Sequence, residues 1–255
     1  ARERAFSLAT KATLSGTPFR MPAGEAALTL DTGYDRVSNR SRDTRAGGQR
    51  VSLNRDVAAV GANISLPITS RRGDVLAGIG DTTLNLNGGN HHHSDFGTLA
   101  DWSVGLTWSP VEALSFQASY IYAEAAPGLS QLGAPEIVTF NVPVFDFTRD
   151  ETVLASIISG GNPALLKEKQ RDIKLSASLD LPVLRRSSLL VEYFRNASDN
   201  VTRSFPLLTS AVENAFPERV TRDAAGRIVS IDRRPVTFSD VESWRQRDAR
   251  SGAAG

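Results

Sequence analysis

Residues 101–124 read DWSVGLTWSPVEALSFQASYIYAE and alternate between two kinds of side chain. From Trp102 to Trp108 every second residue is apolar, with small or polar residues between, and the same alternation returns from Leu114 to Tyr122. Because successive side chains of a β-strand point to opposite faces, each run predicts a strand with one apolar face. Pro110 lies between the runs and cannot extend a sheet ladder, so the two strands are predicted to form an antiparallel hairpin.

The surroundings of the apolar face distinguish two interpretations of this hairpin. A soluble sandwich turns that face towards a second sheet, whereas an outer-membrane barrel turns it towards lipid and lines its interior with polar side chains. Each run extends over about ten residues, which is what a tilted strand needs to cross the hydrocarbon layer. Trp108 and Tyr122 are predicted near opposite ends of the hairpin, where barrels carry their aromatic girdles.

The rest of the chain repeats this pattern. Apolar alternation predicts further strands at residues 5–14, 25–37, 51–66, 74–86, 167–181 and 188–201, and one that starts at Val236. A break is expected in the fourth of these near Asp81, where the apolar row changes phase. Within the longest loops the spacing of apolar residues predicts a short helix at Glu151–Ser159, and turn residues predict a small hairpin around residues 222–227.

The connections between the predicted strands alternate in length. Short turns are expected at residues 15–24, 67–73, 109–113 and 182–187, and long polar loops at residues 38–50, 87–96, 125–166 and 202–235. Bacterial outer-membrane barrels have short periplasmic turns and long extracellular loops, since their strands run up and down through one membrane. The predicted fold is therefore all-β, part of a transmembrane antiparallel up-and-down β-barrel with eight to nine strands.

Composition excludes several classes of protein. The chain has 255 residues, a net charge of +1, no cysteine and 40% hydrophobic residues. Near-neutral charge gives no reason to expect nucleic acid as a partner, and the missing cysteine excludes disulfides and thiolate metal sites. The sequence opens without a methionine or signal segment and closes on Ser251-Gly252-Ala253-Ala254-Gly255. We expect both ends to be cuts through a larger protein.

Two segments carry a resemblance to a known family. Residues 160–169, Gly-Gly-Asn-Pro-Ala-Leu-Leu-Lys-Glu-Lys, resemble the Gly-Asn-Pro-x-Leu-Lys-Pro-Glu stretch of TonB-dependent outer-membrane receptors, where it ends a long extracellular loop and leads into a barrel strand. This copy has an additional or substituted residue at Leu166 and lacks the proline before the glutamate. Residues 189–202 are similar to the strand exit of the same receptors.

The resemblance implies a receptor that takes up a scarce ligand, such as a ferric siderophore, cobalamin or an oligosaccharide, with energy transmitted through TonB. The parent barrel would have about twenty-two strands and an N-terminal plug. No segment of this chain matches a plug or a TonB box, so residues 1–255 are expected to be a partial barrel domain without catalytic residues or cofactor. The expected partners are outer-membrane lipid and lipopolysaccharide, TonB through the plug of the parent protein, and the ligand.

Candidate ligand contacts lie in the predicted extracellular loops. The Phe145-Asp146-Phe147 triplet offers two aromatic rings beside a carboxylate, although the same residues would equally pack the loop against the barrel rim. His92 is the middle of three consecutive histidines, the only ones in the chain, and is expected at a solvated loop tip. Neighbouring side chains in a strand or loop diverge, so a metal site at the histidines is not expected. Histidine confined to one loop also disfavours a Ser-His-Asp hydrolase.

Two alternatives to the receptor remain open from the sequence. One is another outer-membrane barrel of porin or adhesin type, which a parent sequence without a plug would favour. The other is a soluble all-β module, for example a carbohydrate-binding sandwich, in which the apolar faces pack against each other.

Overall fold

The computed structural model describes residues 2–42, 50–181, 187–239 and 241–251, most of them in β-strands. In chain order the strands are β1 (Arg2–Met21), β2 (Gly24–Arg42), β3 (Arg50–Thr69), β4 (Asp81–His93), β5 (Gly97–Val111), β6 (Leu114–Ala125), β7 (Ile137–Asp146), β8 (Glu151–Ser159), β9 (Glu168–Leu181), β10 (Ser187–Asp199), β11 (Val201–Arg203), β12 (Val220–Arg222), β13 (Ile228–Asp232), β14 (Val236–Phe238) and β15 (Val241–Ser251). Two short α-helices, α1 (Leu129–Gly133) and α2 (Ser210–Ala215), and two 3₁₀ turns, Ala77–Ile79 and Pro217–Arg219, complete the described elements. No helix in these described ranges is long and apolar enough to cross a membrane.

Nine long strands form one antiparallel sheet, which we call the wall. Its order is β1-β2-β3-β4-β5-β6-β9-β10-β15, so the chain runs up and down between neighbours, and β1 and β15 are its edges. The hairpin predicted from residues 101–124 is β5 and β6, with Trp102 opposite Tyr122 and Trp108 opposite Phe116. The up-and-down antiparallel fold predicted from the sequence is therefore confirmed.

The wall has one apolar face and one polar face. Ladder partners share a face, so the pairing of Leu30 with Ala62, Leu86 with Val104 and Leu106 with Ala118 carries one apolar face across the strands. The opposite face carries Thr, Asn, Ser, Gln and charged residues, including Asp31, Asn63, Asn85, Ser103, Gln117, Ser176 and Glu192. We call these the outer face and the inner face.

The outer face is not covered by another part of the described chain. Leu14, Val60, Trp102, Leu106 and Leu175 on that face all remain between 42% and 69% exposed. A sandwich would have packed them against a second sheet, so the sandwich interpretation is wrong. In water such a surface would be unfavourable by about 25 cal/mol per Å² of apolar area, which is the cost that lipid contact removes.

Aromatic rings on the outer face stand at two heights. Trp102 packs against Tyr120 and Tyr122, with ring centroids 5.3 and 6.0 Å apart, and Trp108 stacks on Phe116 at 5.3 Å. The two tryptophans are six positions apart, which corresponds to about 20 Å along the strand. Rings at both ends of an apolar band are typical of the girdles that mark the two membrane interfaces.

Several predicted boundaries are wrong: most because the ladder extends beyond the apolar residues, and the start of β4 because the residues before it form an isolated bridge and a 3₁₀ turn. The turn predicted at residues 15–24 is reduced to Pro22-Ala23, and the strand predicted from Asp74 begins only at Asp81, where the break was expected. The polar loop predicted at residues 87–96 is reduced to Ser94–Phe96, because β4 and β5 stay paired through His93 and Gly97. Backbone hydrogen bonds hold these polar stretches in strands without an apolar face. Parts of two predicted connections, residues 43–49 and 182–186, lie outside the described residues.

The longest two connections fold together above one end of the wall. Residues 126–167 contribute α1, β7 and β8, and residues 200–239 contribute β11, α2, β12, β13 and β14. We call these two segments together the cap. The helix predicted at Glu151–Ser159 is wrong, since this segment is β8, bonded to β7 on one side and to β13 on the other. Its β-branched residues, Thr152, Val153, Ile157 and Ile158, favour a strand over a helix. The hairpin predicted around residues 222–227 is confirmed as β12 and β13.

Candidate ligand-binding cap

The cap is one folded unit because its two segments share a sheet. In the strand order β12-β13-β8-β7 the first two strands come from the second segment and the last two from the first, and the segments join where β13 runs parallel to β8, with Ser230 opposite Ser156 and Asp232 opposite Ile158. Strands 74 residues apart in sequence therefore contribute to one ladder, and neither segment can complete this sheet alone. The Arg233 backbone N–H adds a further bond to the Ile158 carbonyl at 2.8 Å.

A small apolar core lies beneath this sheet. Ala155 from the first segment and Phe205, Ile228, Ile231 and Val236 from the second are at most 5% exposed and contact one another. Phe216 stands edge-on between Phe205 and Phe238, with centroids 5.6 and 5.7 Å away. Edge-to-face rings at this spacing add about 0.5–1.5 kcal/mol per pair to the area they bury. The core therefore stabilises the cap independently of the membrane.

A buried ion pair joins the two segments at the β7–β8 turn. The Arg222 guanidinium donates to both oxygens of Asp146 at 2.7 and 3.0 Å, and Asp146 has no solvent exposure. The same guanidinium donates to Glu213 at 2.8 Å and to the Gly226 carbonyl at 2.6 Å. These bonds from Arg222 outweigh burial and lower the pKa of Asp146 to about 2, and they raise the pKa of Arg222. Both groups are charged at neutral pH and hold each other in place.

A second ion cluster joins β13 to residues before β7. Asp232 accepts from Arg219 at 2.8 Å and from Arg234 at 2.7 Å, and Arg234 reaches Glu136 at 3.5 Å. Burial works against the charged form of Asp232, but the bonds from Arg234 and the charge of Arg219 outweigh it and lower the pKa. The cap is thus held by paired charges around its apolar core.

The segment that carries the family resemblance is the joint between cap and wall. A Cβ on Gly161 would lie 2.6 Å from the Leu132 carbonyl oxygen, and a Cβ on Gly160 would lie 2.6 Å from that of Pro135. The Asn162 side chain donates to the Pro235 carbonyl at 2.9 Å and accepts from the Ala164 N–H at 3.0 Å. Glycine therefore permits close backbone approach, and asparagine connects the two cap segments just before β9 begins.

The cap contains an apolar cavity of about 320 Å³ that includes two of the candidate residues. Phe145 and Phe147 line it together with Leu207, Phe205 and Pro143, and the two rings meet edge to face at 5.0 Å. Phe145 is 42% exposed, Phe147 45% and Leu207 75%. Ligand pockets typically have about 300–1,000 Å³ and mostly apolar walls, so the cavity is of suitable size for a small ligand or part of one.

The structure separates the four candidate residues. Phe145 and Phe147 lie at the cavity, whereas the Asp146 carboxylate turns away from solvent into the ion pair with Arg222. His92 is exposed and in β4, not at a loop tip as predicted, and the ladder places it on the outer face opposite Ala58 and Thr98. Its neighbours His91 and His93 lie on the inner face, where His91 bonds the Asp101 carboxylate at 2.7 Å.

Sequence reasoning missed Arg222, Leu207 and Arg233 as members of this site. Arg222 is 76 residues from Asp146, and no periodic pattern connects them. The predicted hairpin at residues 222–227 was the available signal, since it places an arginine at a turn within the second of the two long connections. Across the described ranges, no group of three or more His, Cys, Asp or Glu side chains is arranged to hold a metal ion.

Comparison with known proteins agrees with this architecture. Residues 6–228 match the family model described as TonB dependent receptor-like, beta-barrel. Among solved structures, the chain is similar to the siderophore receptor PirA from Acinetobacter baumannii (TM-score 0.70, 14% identity, 99% of this chain and 35% of that one) and to a mutant of the ferric enterobactin receptor PfeA from Pseudomonas aeruginosa (TM-score 0.71, 14% identity, 99% and 34%). PirA from Pseudomonas aeruginosa is also similar (TM-score 0.61, 16% identity, 96% and 39%). No curated protein matches the chain.

The chain spans about a third of the length of the solved structures it matches. At 14% to 16% identity these structures show the fold alone. The family model covers most of the chain, and the family consists of receptors and transporters of the outer membrane. The chain therefore belongs to the TonB-dependent receptor family, whose β-barrel model it matches.

Proposed function

We propose that the protein is an outer-membrane receptor of a Gram-negative cell that imports a scarce ligand with energy from TonB. In this proposal residues 1–255 are a partial barrel domain: the wall spans the membrane and the cap faces the exterior. The observation that carries the proposal is the division of one nine-stranded sheet into an exposed apolar face and a polar face, continued by a cap with its own core and cavity.

The partners follow from the surfaces. Lipid chains cover the outer face between the aromatic rings, and lipopolysaccharide meets the exposed charges around the cap. TonB acts through a plug domain of the full-length protein. The ligand belongs to the classes that such receptors import, namely ferric siderophores, cobalamin or oligosaccharides, and the siderophore receptors among the similar structures favour the first.

Within the cap we propose that Phe145 and Phe147 contact the ligand. Their rings line the cavity and stay more than two-fifths exposed, which leaves apolar area for a ligand to bury. Asp146 acts through position: its bond to Arg222 fixes the turn that carries both rings. We assign no contact to His92, because its side chain lies on the outer face.

The membrane topology is testable because the chain has no native cysteine. Single cysteines at Ser94, in the β4–β5 turn, and at Glu112, in the β5–β6 turn, are placed in the full-length receptor and treated with an impermeant thiol reagent on intact cells. We expect labelling at position 94 and not at 112, with both labelled after the outer membrane is permeabilised. Equal labelling of both positions in intact cells would exclude a membrane-spanning hairpin.

The ligand contacts are tested with Phe145→Ala and Phe147→Ala. Phe140→Ala is the matched control, since Phe140 is on the same hairpin, is 70% exposed and does not line the cavity. Cells that depend on the full-length receptor for iron are grown on a panel of ferric siderophores with and without TonB. We expect the first two variants to lose TonB-dependent growth and the control to retain it; growth unaffected by either change would place ligand contact elsewhere.

A further inference from the structure

The chemistry of the cap cavity specifies more than a general ligand site. Its wall is formed mainly by aliphatic side chains, among them Val142, Val144, Ile157 and Leu208, together with the phenyl rings. Buried polar ligands need hydrogen-bond partners, and these side chains offer none. The wall is therefore suited to hydrocarbon and poorly suited to a ligand whose surface is rich in oxygen.

One cation lies on this wall without a counter-ion. Arg233 lines the cavity and is exposed, and within the described ranges its guanidinium makes no ion pair or side-chain hydrogen bond. Its neighbours differ in this respect, since Arg222 is held by Asp146 and Arg234 by Asp232. Asp232 precedes Arg233 in the chain but is already occupied by Arg219 and Arg234. No carboxylate is among the residues that line the cavity.

The mouth of the cavity is unusually apolar for a water-exposed surface. Leu207 is 75% exposed next to the two half-exposed rings. Phe145, Phe147 and Leu207 are not among the residues of the cap core or those packed against it, whereas Phe205 and Ile231 belong both to the core and to the cavity wall. Contiguous exposed apolar area rimmed by a charge is typical of a surface that a ligand covers.

We infer that the cavity binds a medium-chain aliphatic carboxylate, with the chain between the phenyl rings and Leu207 and the carboxylate on Arg233. A guanidinium binds a carboxylate through two parallel N–H donors, which gives this end of the ligand its orientation. The volume of about 320 Å³ is at the lower end for ligand pockets, which favours a short acyl chain over a multi-ring molecule. This inference rests on the proposed function in one respect: the carboxylate is taken to be, or to belong to, the imported ligand.

The experiment measures binding of octanoate, octanol and acetate to the full-length receptor in lipid nanodiscs by isothermal titration calorimetry, with empty nanodiscs as the blank. The first variant is Arg233→Gln, with Arg203→Gln as the control for an exposed cap arginine outside the cavity. The second is Leu207→Asn, with Leu154→Asn as the control, because Leu154 is an exposed leucine of the cap (64%) that does not line the cavity.

We expect octanoate to bind, octanol to bind more weakly and acetate not to bind. Arg233→Gln should weaken octanoate about tenfold and leave octanol unchanged, because only the charge-assisted bonds are lost. Leu207→Asn should weaken both about fivefold or more through lost apolar burial. The inference is overturned if neither variant weakens octanoate binding, or if the control variants weaken it equally. It is also overturned if Arg233→Gln weakens octanol binding as much as octanoate binding.

Crosslinking to TonB tests the proposed function separately from the carboxylate site. Crosslinking of the full-length receptor to TonB in cells does not depend on which ligand the cap binds. If the receptor crosslinks to TonB but binds octanoate equally well in the wild type and the variants, the carboxylate site is rejected and the proposed receptor function stands. Cavity-dependent octanoate binding without any TonB contact would keep the site and reject TonB-dependent import.

Discussion

The wall and the cap are stabilised in opposite ways by the same chain. The wall has a ladder between neighbouring strands and apolar side chains turned outward, and the core cluster found among the described residues lies outside it. The cap has an apolar core turned inward, surrounded by ion pairs between segments far apart in sequence. The wall therefore depends on its surroundings for stability, whereas the cap is stabilised by its own core and ion pairs.

The largest expected effect comes from breaking the buried pair of the cap. Arg222→Ala leaves Asp146 charged, buried and without its counter-ion, and removing one partner of such a pair costs about 3–5 kcal/mol. We expect protease cleavage and fast hydrogen exchange throughout the cap, with the wall unchanged. Arg227→Ala is the control, because this more exposed arginine only approaches Glu151 at 3.7 Å. Equal loss of protection in the wall would mean that the two regions are not separate units.

The second effect tests the two faces of the wall at adjacent positions. Leu106 is on the outer face between the two tryptophans, and Thr107 is on the inner face. An arginine on the lipid face near the middle of the bilayer destabilises the folded barrel by about 2–4 kcal/mol. An arginine that faces the polar interior stays hydrated, so its cost is small. We expect Leu106→Arg to reduce refolding of the full-length receptor into lipid vesicles, and Thr107→Arg to refold nearly as wild type. If Thr107→Arg reduced refolding more than Leu106→Arg, the assignment of the outer and inner faces would be wrong.

The third effect is the pH dependence of the cap. The pKa of Asp146 is about 2 in the folded state and near 3.8 when unfolded, so its pairing stabilises the cap fully above about pH 5. This contribution, about 2–3 kcal/mol for a shift of nearly two pK units, is lost as the pH falls from 5 towards 2. Cap exchange rates should rise over this window in the wild type. In Asp146→Asn they should be high at neutral pH already and change less with acid; an identical pH profile in both would remove Asp146 as the cause.

The same contrast explains what the sequence could and could not predict. The strands of the wall could be predicted because a sheet with one apolar and one polar face imposes a period of two, visible from Trp102 to Tyr122 without knowledge of any partner strand. Its strand ends were not readable, because the ladder continues through polar residues such as His91 and Asn90. The segment Glu151–Ser159 was misassigned because short apolar runs fit both periods, and its pairing with β13 is a long-range contact. Arg222 and Arg233 were missed for the same reason: their roles depend on which loops meet.

The smallest effect concerns the joint between the regions. Gly161→Ala places a methyl group 2.6 Å from the Leu132 carbonyl oxygen and the Ala134 nitrogen, both backbone atoms, so α1 must shift. Overpacking of this kind costs about 1–3 kcal/mol. Since Gly161 packs against the backbone of residues 132–134, the strain loosens this contact within the first cap segment before it reaches the cap core. We expect faster exchange at Asn162 and at the 131–134 backbone, little change around Phe205, and no change in Gly78→Ala, where a Cβ meets nothing within 4 Å. If exchange rose equally around Phe205, the joint would be part of the cap core, and the cap could not move relative to the wall without partly unfolding.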